Sequence, residues 1–97
     1  MNSYRFHPEA ETELYLSIDY YESIEPGLGY DFALEVYETI QRILDFPRAW
    51  AILDGEVRRS LVKRFPFGVL YSEEPDDVLI LAIMNLHRST DYWKHRV

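Results

Sequence analysis

Apolar positions in the first half of the chain recur at helical spacing in two blocks. Residues 8–23 place apolar side chains on one face: Ala10, Leu14, Ile18 and Tyr21. Residues 29–46 do the same with a second stripe: Phe32, Val36, Ile40 and Ile43. Pro8 opens the first block, where its missing N–H is not needed, and Pro47 ends the second, because the residue before a proline is pushed out of the helical region. Residues 25–29 carry one proline and two glycines, so the sequence predicts an antiparallel helical hairpin.

Period-two alternation and one continuous apolar run predict four strands. They cover residues 3–7, 57–64, 67–72 and 78–85. The first two alternate apolar with polar side chains, which is typical of a half-buried strand. The last is apolar almost throughout, which suits a central strand covered on both faces. A buried helical segment is the alternative, but the run is short and bounded by turns.

The order of these elements predicts an α+β fold. A helical hairpin packs on a mainly antiparallel four-stranded sheet in the order β-α-α-β-β-β. Residues 48–56 end in an Asp-Gly turn and predict a loop, whereas residues 89–94 predict one short helical turn. With 97 residues, no repeat and no linker, the sequence predicts a single domain, residues 1–97.

The distribution of charged residues indicates which partners the protein is suited to bind. The chain has 17 acidic and 10 basic residues, for a net charge of −7. Residues 1–56 hold twelve acidic and three basic side chains, whereas residues 57–97 hold five acidic and seven basic ones. An acidic chain is a poor generic coat for nucleic acid, because phosphate binding begins with positive potential. We therefore expect no direct binding to free nucleic acid.

Several other classes of protein are disfavoured by what the sequence lacks. The longest apolar run has seven residues, against the roughly 20 that a membrane helix needs, and no apolar leader follows Met1. We expect a cytoplasmic protein with no membrane partner. The three histidines show no metal-binding spacing, there is no cysteine, and no glycine-rich phosphate loop follows a strand. We expect no metal and no cofactor, and the helix carboxylates Glu9, Glu11, Glu13 and Glu22 are interpreted as solvated faces.

Two basic segments could bind a partner. Alternation along residues 57–64 places Arg58 and Arg64 on one face and Arg59 and Lys63 on the other. These charges could protect an edge strand or contact an anion or acidic peptide. Near the C-terminus, His87 and Arg88 are followed by Tyr92 and Trp93, a combination of cations and aromatic rings that binding hot spots use. Alternatively, Trp93 fills the end of the core and Arg88 pairs with a helix carboxylate.

Short motifs at ordered spacings run along nearly the whole chain. They are Phe6-His7-Pro8-Glu9-Ala10, Tyr20-Tyr21-Glu22, Pro26-Gly27-Leu28-Gly29, Phe46-Pro47, Val57-Arg58-Arg59, Arg64-Phe65-Pro66-Phe67, His87-Arg88-Ser89 and Tyr92-Trp93. This set resembles ParE-like members of the RelE/ParE toxin superfamily of bacterial type II toxin–antitoxin modules, often called plasmid stabilisation proteins. The resemblance implies a small toxin that arrests growth until a cognate antitoxin neutralises it.

The resemblance also implies targets and site residues. ParE-like members inhibit DNA gyrase by binding, without being enzymes, and the contact set would be Arg58, Arg59, Arg64, Arg88, Tyr92 and Trp93. RelE-like members are metal-independent ribonucleases that cut mRNA on the ribosome, and the catalytic set would be Arg59, His87, Arg88 and Tyr92. The antitoxin would cover the helix tyrosines Tyr15, Tyr20, Tyr30 and Tyr37. The net charge of −7 favours gyrase over the ribosome, and an inactive interaction domain is a third alternative.

Overall fold

The helical hairpin forms as its periodicity predicts. The structure, a computed structural model, describes residues 3–89 and 91–97. Helix α1 spans Pro8–Ile24 and helix α2 spans Leu28–Asp45, within two residues of the predicted bounds. His7 caps α1, because its ring Nδ1 accepts a hydrogen bond from the Glu9 N–H at 3.1 Å. Gly27 turns the chain into α2 with a left-handed φ of 89°, a conformation that favours glycine.

Five strands form one sheet beside the hairpin. They are β1 (Tyr4–Phe6), β2 (Ile52–Asp54), β3 (Val57–Leu61), β4 (Phe67–Glu73) and β5 (Val78–Asn85). The spatial order is β1-β5-β4-β3-β2. Strand β1 is parallel to β5, and every other neighbouring pair is antiparallel. A 3₁₀ turn, Lys94–Arg96, follows the sheet, later than the helical turn predicted over residues 89–94, of which Thr90 lies outside the described residues.

The prediction of a mainly antiparallel four-stranded sheet is wrong, since the sheet has five strands and is mixed. Strand β2 lies inside the segment predicted as a loop. It has three residues and matches β3 at two positions, Ile52 with Arg58 and Asp54 with Val57, so it is too short to show an alternating pattern. The parallel pairing of β1 with β5 joins Tyr4 to Val78, and no local pattern specifies such a distant partner.

The sheet is covered on both faces. On one face the helices pack through Phe32, whose ring lies 4.8 Å from Phe67 and 5.1 Å from Phe65, centroid to centroid. On the other face Trp93 is 1% exposed and belongs to a core cluster with Leu70, Leu81, Ala82 and Met84. The consecutive residues Leu81 and Ala82 both join this second cluster because the register between β4 and β5 shifts there. Strand β5 is the central covered strand that its apolar run predicted.

Among the described residues, no helix combines the length and the apolar character needed to cross a membrane.

Candidate functional site

A buried ion pair closes the edge of β5. Strand β1 covers β5 only from Val78 to Ile80. Beyond that point the Ile83 N–H donates to Glu13 Oε1 at 3.0 Å, and the Leu81 carbonyl accepts from Arg96 Nη1 at 3.0 Å. The side chains of Glu13 and Arg96 thus bond to the edge where a further strand would otherwise pair. We call these two residues the C-terminal clamp.

The clamp is bidentate and shielded from solvent. Arg96 Nη1 and Nη2 donate to the two oxygens of Glu13 at 2.8 and 3.0 Å, and the side chains are 5% and 14% exposed. Burial opposes the charged form of Arg96, but the hydrogen bonds and charge of Glu13 outweigh it and raise the pKa of the guanidinium. The tail is docked further by His95, whose Nε2 lies 2.7 Å from Glu9 Oε2 and lowers the pKa of that carboxyl. The C-terminal segment is therefore joined to α1 by charge as well as by packing.

Arg88 and Tyr92 meet beside the clamp. The Arg88 guanidinium carbon lies 3.8 Å from the centroid of the Tyr92 ring, and that of Arg96 lies 5.1 Å from it. Arg88 Nη1 is also 3.9 Å from Glu13 Oε2. Burial raises the pKa of the Tyr92 hydroxyl, and the neighbouring Glu13 raises it further. Tyr92 therefore keeps its proton, and its hydroxyl is shielded from solvent while Arg88 packs on its ring.

An open cleft of about 350 Å³ adjoins this group, between α1 and the end of β5. Arg88 and Glu13 lie at its polar side, and Leu16, Tyr20 and Phe67 supply apolar walls. We call it the α1–β5 cleft. It combines a cation with apolar surface, which suits a protein or peptide contact.

A second cleft, of about 340 Å³, lies at the edge of β3. Arg59 lines it together with Arg42 from α2 and Trp50 from the segment after α2. We call it the β3-edge cleft. Arg59 and Arg88, which the ribonuclease hypothesis places in one site, therefore line different clefts.

The structure places the remaining predicted contact residues in different settings. His87 is exposed on the turn after β5, where its backbone N–H donates to Asn85 Oδ1. Arg58 donates to the Trp50 carbonyl at 2.7 Å, and Arg64 lies 3.6 Å from Asp31. Trp93 is enclosed in the core. Of the four residues named for ribonuclease activity, a direct contact joins Arg88 with Tyr92, and the site assignments stay predictions.

The helix tyrosines named for the antitoxin are all on the surface. Their exposed fractions run from 41% to 69%: Tyr15, Tyr20, Tyr30 and Tyr37. Burial raises the pKa of Tyr37, and so do Tyr4, Tyr15 and Glu11, which places these groups close together. Leu16 and Leu34 on the same helices are exposed as well. The hairpin therefore presents an aromatic and acidic surface.

Sequence reasoning missed the clamp and most of the β3-edge cleft. Glu13 was interpreted as one of several solvated carboxylates, and this is wrong, because its side chain is 14% exposed and bonds to Arg96. Its partner is 83 positions away, so no spacing rule links them. Arg42 was not singled out either, since a lone arginine near a helix end is a common surface feature. The alternation of residues 57–64 did group Arg59 with Lys63, and both line the β3-edge cleft.

The comparisons with known proteins give a fold. No protein-family model matches this chain, and no curated protein matches it. Among solved structures, it is similar to a chain from the chromosomal ParDE TA system from P. aeruginosa, with a TM-score of 0.76 and 19% sequence identity. The match covers 88% of this chain and 96% of the other. This likeness shows the fold: the chain shares its architecture with that ParDE chain.

Proposed function

We propose that this protein is the toxin of a type II toxin–antitoxin module, that a cognate antitoxin neutralises it, and that it inhibits DNA gyrase by binding. The observation that carries the proposal is the fold shared with a ParDE chain over 88% of the sequence. This likeness supports the general statement that the chain is a component of such a module. The toxin role, the target and the neutralising partner are the finer proposal.

The arrangement of polar groups favours binding over catalysis. A general base or acid has to lie within hydrogen-bond reach of the reacting group and titrate near the working pH. Tyr92 holds its proton because burial and Glu13 raise its pKa, and Arg88 packs on the Tyr92 ring. Arg59, which a phosphate-cleaving site would need beside them, lines the other cleft. A binding toxin needs none of these groups to act together.

The exposed helix tyrosines support a site for the antitoxin. They lie in the half of the chain that carries twelve acidic and three basic side chains. A segment that is both apolar and basic would match this surface by packing and by charge. We expect such a segment of the antitoxin to become ordered when it binds.

Purified gyrase tests the target. Addition of the protein should inhibit supercoiling of relaxed plasmid, and Arg88→Ala should weaken the inhibition because Arg88 lies at the α1–β5 cleft. Arg5→Ala removes one exposed cation from the other end of the sheet and should leave the inhibition unchanged. The parallel assay is mRNA cleavage on programmed ribosomes with EDTA present. Cleavage with normal supercoiling would replace gyrase by the ribonuclease alternative, and no effect in either assay would leave an inactive interaction domain.

A further inference from the structure

Four lysine and arginine side chains form no ion pair with a carboxylate of the described residues, and three of the four also lack a carbonyl partner. All ten lysine and arginine side chains lie within the described residues. Six form ion pairs with carboxylates: Arg5, Arg48, Arg64, Arg88, Lys94 and Arg96. Arg58 donates instead to the carbonyls of Arg48 and Trp50. The remaining three, Arg42, Arg59 and Lys63, form no ion pair with any described carboxylate, although the chain has 17 acidic residues.

These three cations line the same cavity. Each of them borders the β3-edge cleft, together with Trp50, Ser60 and Leu61, and no carboxylate lines it. The volume of about 340 Å³ falls within the range of small-molecule sites, about 300 to 1,000 Å³. Three of the four cations that form no ion pair with a described carboxylate therefore border one concave place.

Further hydrogen-bond donors belong to residues that line the same cleft. The indole Nε1 of Trp50 is shielded from solvent and has no hydrogen-bond partner among the described residues. The Arg59 N–H donates away from β4, to the Ala51 carbonyl at 3.1 Å, whereas the Val62 N–H donates toward β4, to Phe67. Because N–H directions alternate along a strand, the N–H of Leu61 points to the same outer edge as that of Arg59. A ligand that accepts hydrogen bonds and carries negative charge would satisfy this set.

The local sequence builds the cleft. Strand β2 is three residues long and its register with β3 extends only to Arg58, and after the bond from the Arg59 N–H to Ala51 the end of β3 has no further strand beside it among the described residues. Gly68 on β4 makes room for the Arg59 stem, because a Cβ at that position would lie 2.9 Å from Arg59 Cδ. The last turns of α2 bring Arg42, whose Nη2 is held by the Thr39 hydroxyl at 3.0 Å. The cations thus come from three separate segments of the chain and converge on one edge.

We propose that the β3-edge cleft binds a small phosphate-bearing ligand with a flat ring, such as a nucleotide. Three cations match the charge of a diphosphate or triphosphate, and Trp50 with Leu61 offers an aromatic and apolar wall for the ring. A nucleic-acid strand carries the same phosphates, but its long backbone would meet a protein of net charge −7 beyond the cleft. The site shares no lining residue with the α1–β5 cleft, although Arg59 also belongs to the contact set expected for gyrase, and ligand binding is measured without gyrase.

Titration of the intact protein with pyrophosphate, ATP and a short single-stranded oligonucleotide tests the site. Isothermal titration calorimetry measures the affinity for each ligand. The NMR resonance of the Trp50 indole N–H, assigned by comparison with Trp50→Phe, shows whether the ligand binds near Trp50. We expect ATP to bind with a Kd of about 1 mM or lower at low salt, pyrophosphate to bind more weakly, and the Trp50 signal to move. Arg42→Ala, Arg59→Ala and Lys63→Ala should each weaken ATP binding by about fivefold or more.

The controls make the result decisive. Arg5→Ala removes the same charge at the opposite end of the sheet and should leave ATP affinity unchanged. Conservative variants, Arg42→Gln and Lys63→Gln, with thermal melting of each, separate loss of binding from loss of folding. No binding of ATP and pyrophosphate at about 1 mM would overturn the proposal. Equal weakening by Arg5→Ala would also overturn it, and tighter binding of the oligonucleotide would reassign the cleft to a nucleic-acid strand.

Discussion

Each of the two outer strands of the sheet leaves part of its inner neighbour's backbone uncovered, and the uncovered backbone has different surroundings at the two edges. Strands β1 and β2 have three residues each, so each covers only part of its inner neighbour. At β5 the uncovered backbone bonds to the C-terminal clamp, in which Arg96 is matched by Glu13. At β3 the uncovered edge faces a cleft whose cations have no acidic partner. A charge that is compensated inside the fold stabilises it, whereas an uncompensated charge is free to meet a ligand.

The covered side should carry most of the stability. Trp93 is 1% exposed under β5, so Trp93→Ala should lower the free energy of unfolding by about 4 kcal/mol or more, because it leaves a large cavity. Urea denaturation measures the loss. Trp93→Phe is the matched control and should be milder, because the Trp93 Nε1–H has no hydrogen-bond partner among the described residues. A variant as stable as the native chain would show that Trp93 serves contact and not packing.

Breaking the C-terminal clamp should cause the next largest loss of stability. Glu13→Ala leaves the buried Arg96 charge with only the exposed Glu9, 3.2 Å from its Nε, and leaves the Ile83 N–H without an acceptor, so we expect a loss of about 3 kcal/mol. The double variant Glu13→Leu with Arg96→Met removes both charges and should lose less than the single variant. Equal losses of stability in the single and the double variant would mean that the Glu13–Arg96 pair contributes only packing.

Stability at alkaline pH tests the hydrogen bond that holds the segment before Trp50, which lines the β3-edge cleft. The Tyr71 hydroxyl donates to the Pro47 carbonyl at 2.6 Å, three residues before Trp50, and burial raises the pKa of Tyr71 to about 12. Below pH 10 both the folded and unfolded chains keep this proton, so it adds no pH dependence. Between pH 10 and 12 only the unfolded chain releases it, and stability should fall by about 2 to 3 kcal/mol. Denaturation at several pH values measures how steeply the free energy of unfolding falls with pH. The Tyr71→Phe variant should show a shallower fall, and an unchanged fall would assign the decline to other groups.

The unpaired cations should matter least for folding. Arg42→Ala, Arg59→Ala and Lys63→Ala should each change the free energy of unfolding by less than about 0.5 kcal/mol, because no ion pair is lost. Thermal melting at low and high salt checks this. A loss comparable to that of Glu13→Ala would erase the contrast between the two edges.

Long, periodic elements were the predictable part of this molecule. The stripes of α1 and α2 and the apolar run of β5 repeat often enough to be recognised, and they match the structure within two residues. Strand β2 has three residues and exposed ends, so it carried no comparable signal. The clamp joins residues 83 positions apart, and its acid lies in the same acidic stretch of α1 as the exposed Glu9 and Glu11. Residues that line one cleft were grouped together where they lie close in sequence, as Arg59 and Lys63 do, and missed where the fold alone brings them together.

The clamp also sets an order of events in the making of the protein. Glu13 is synthesised 83 residues before Arg96, and Tyr4 long before Val78, its partner across the parallel strands. Until the late residues emerge, α1 keeps an unmatched carboxylate and β5 an unpaired edge. Contacts of such long range form slowly. The nascent chain therefore reaches its final shape only after Arg96 has been synthesised, and a partner present before that stage meets an unfinished sheet.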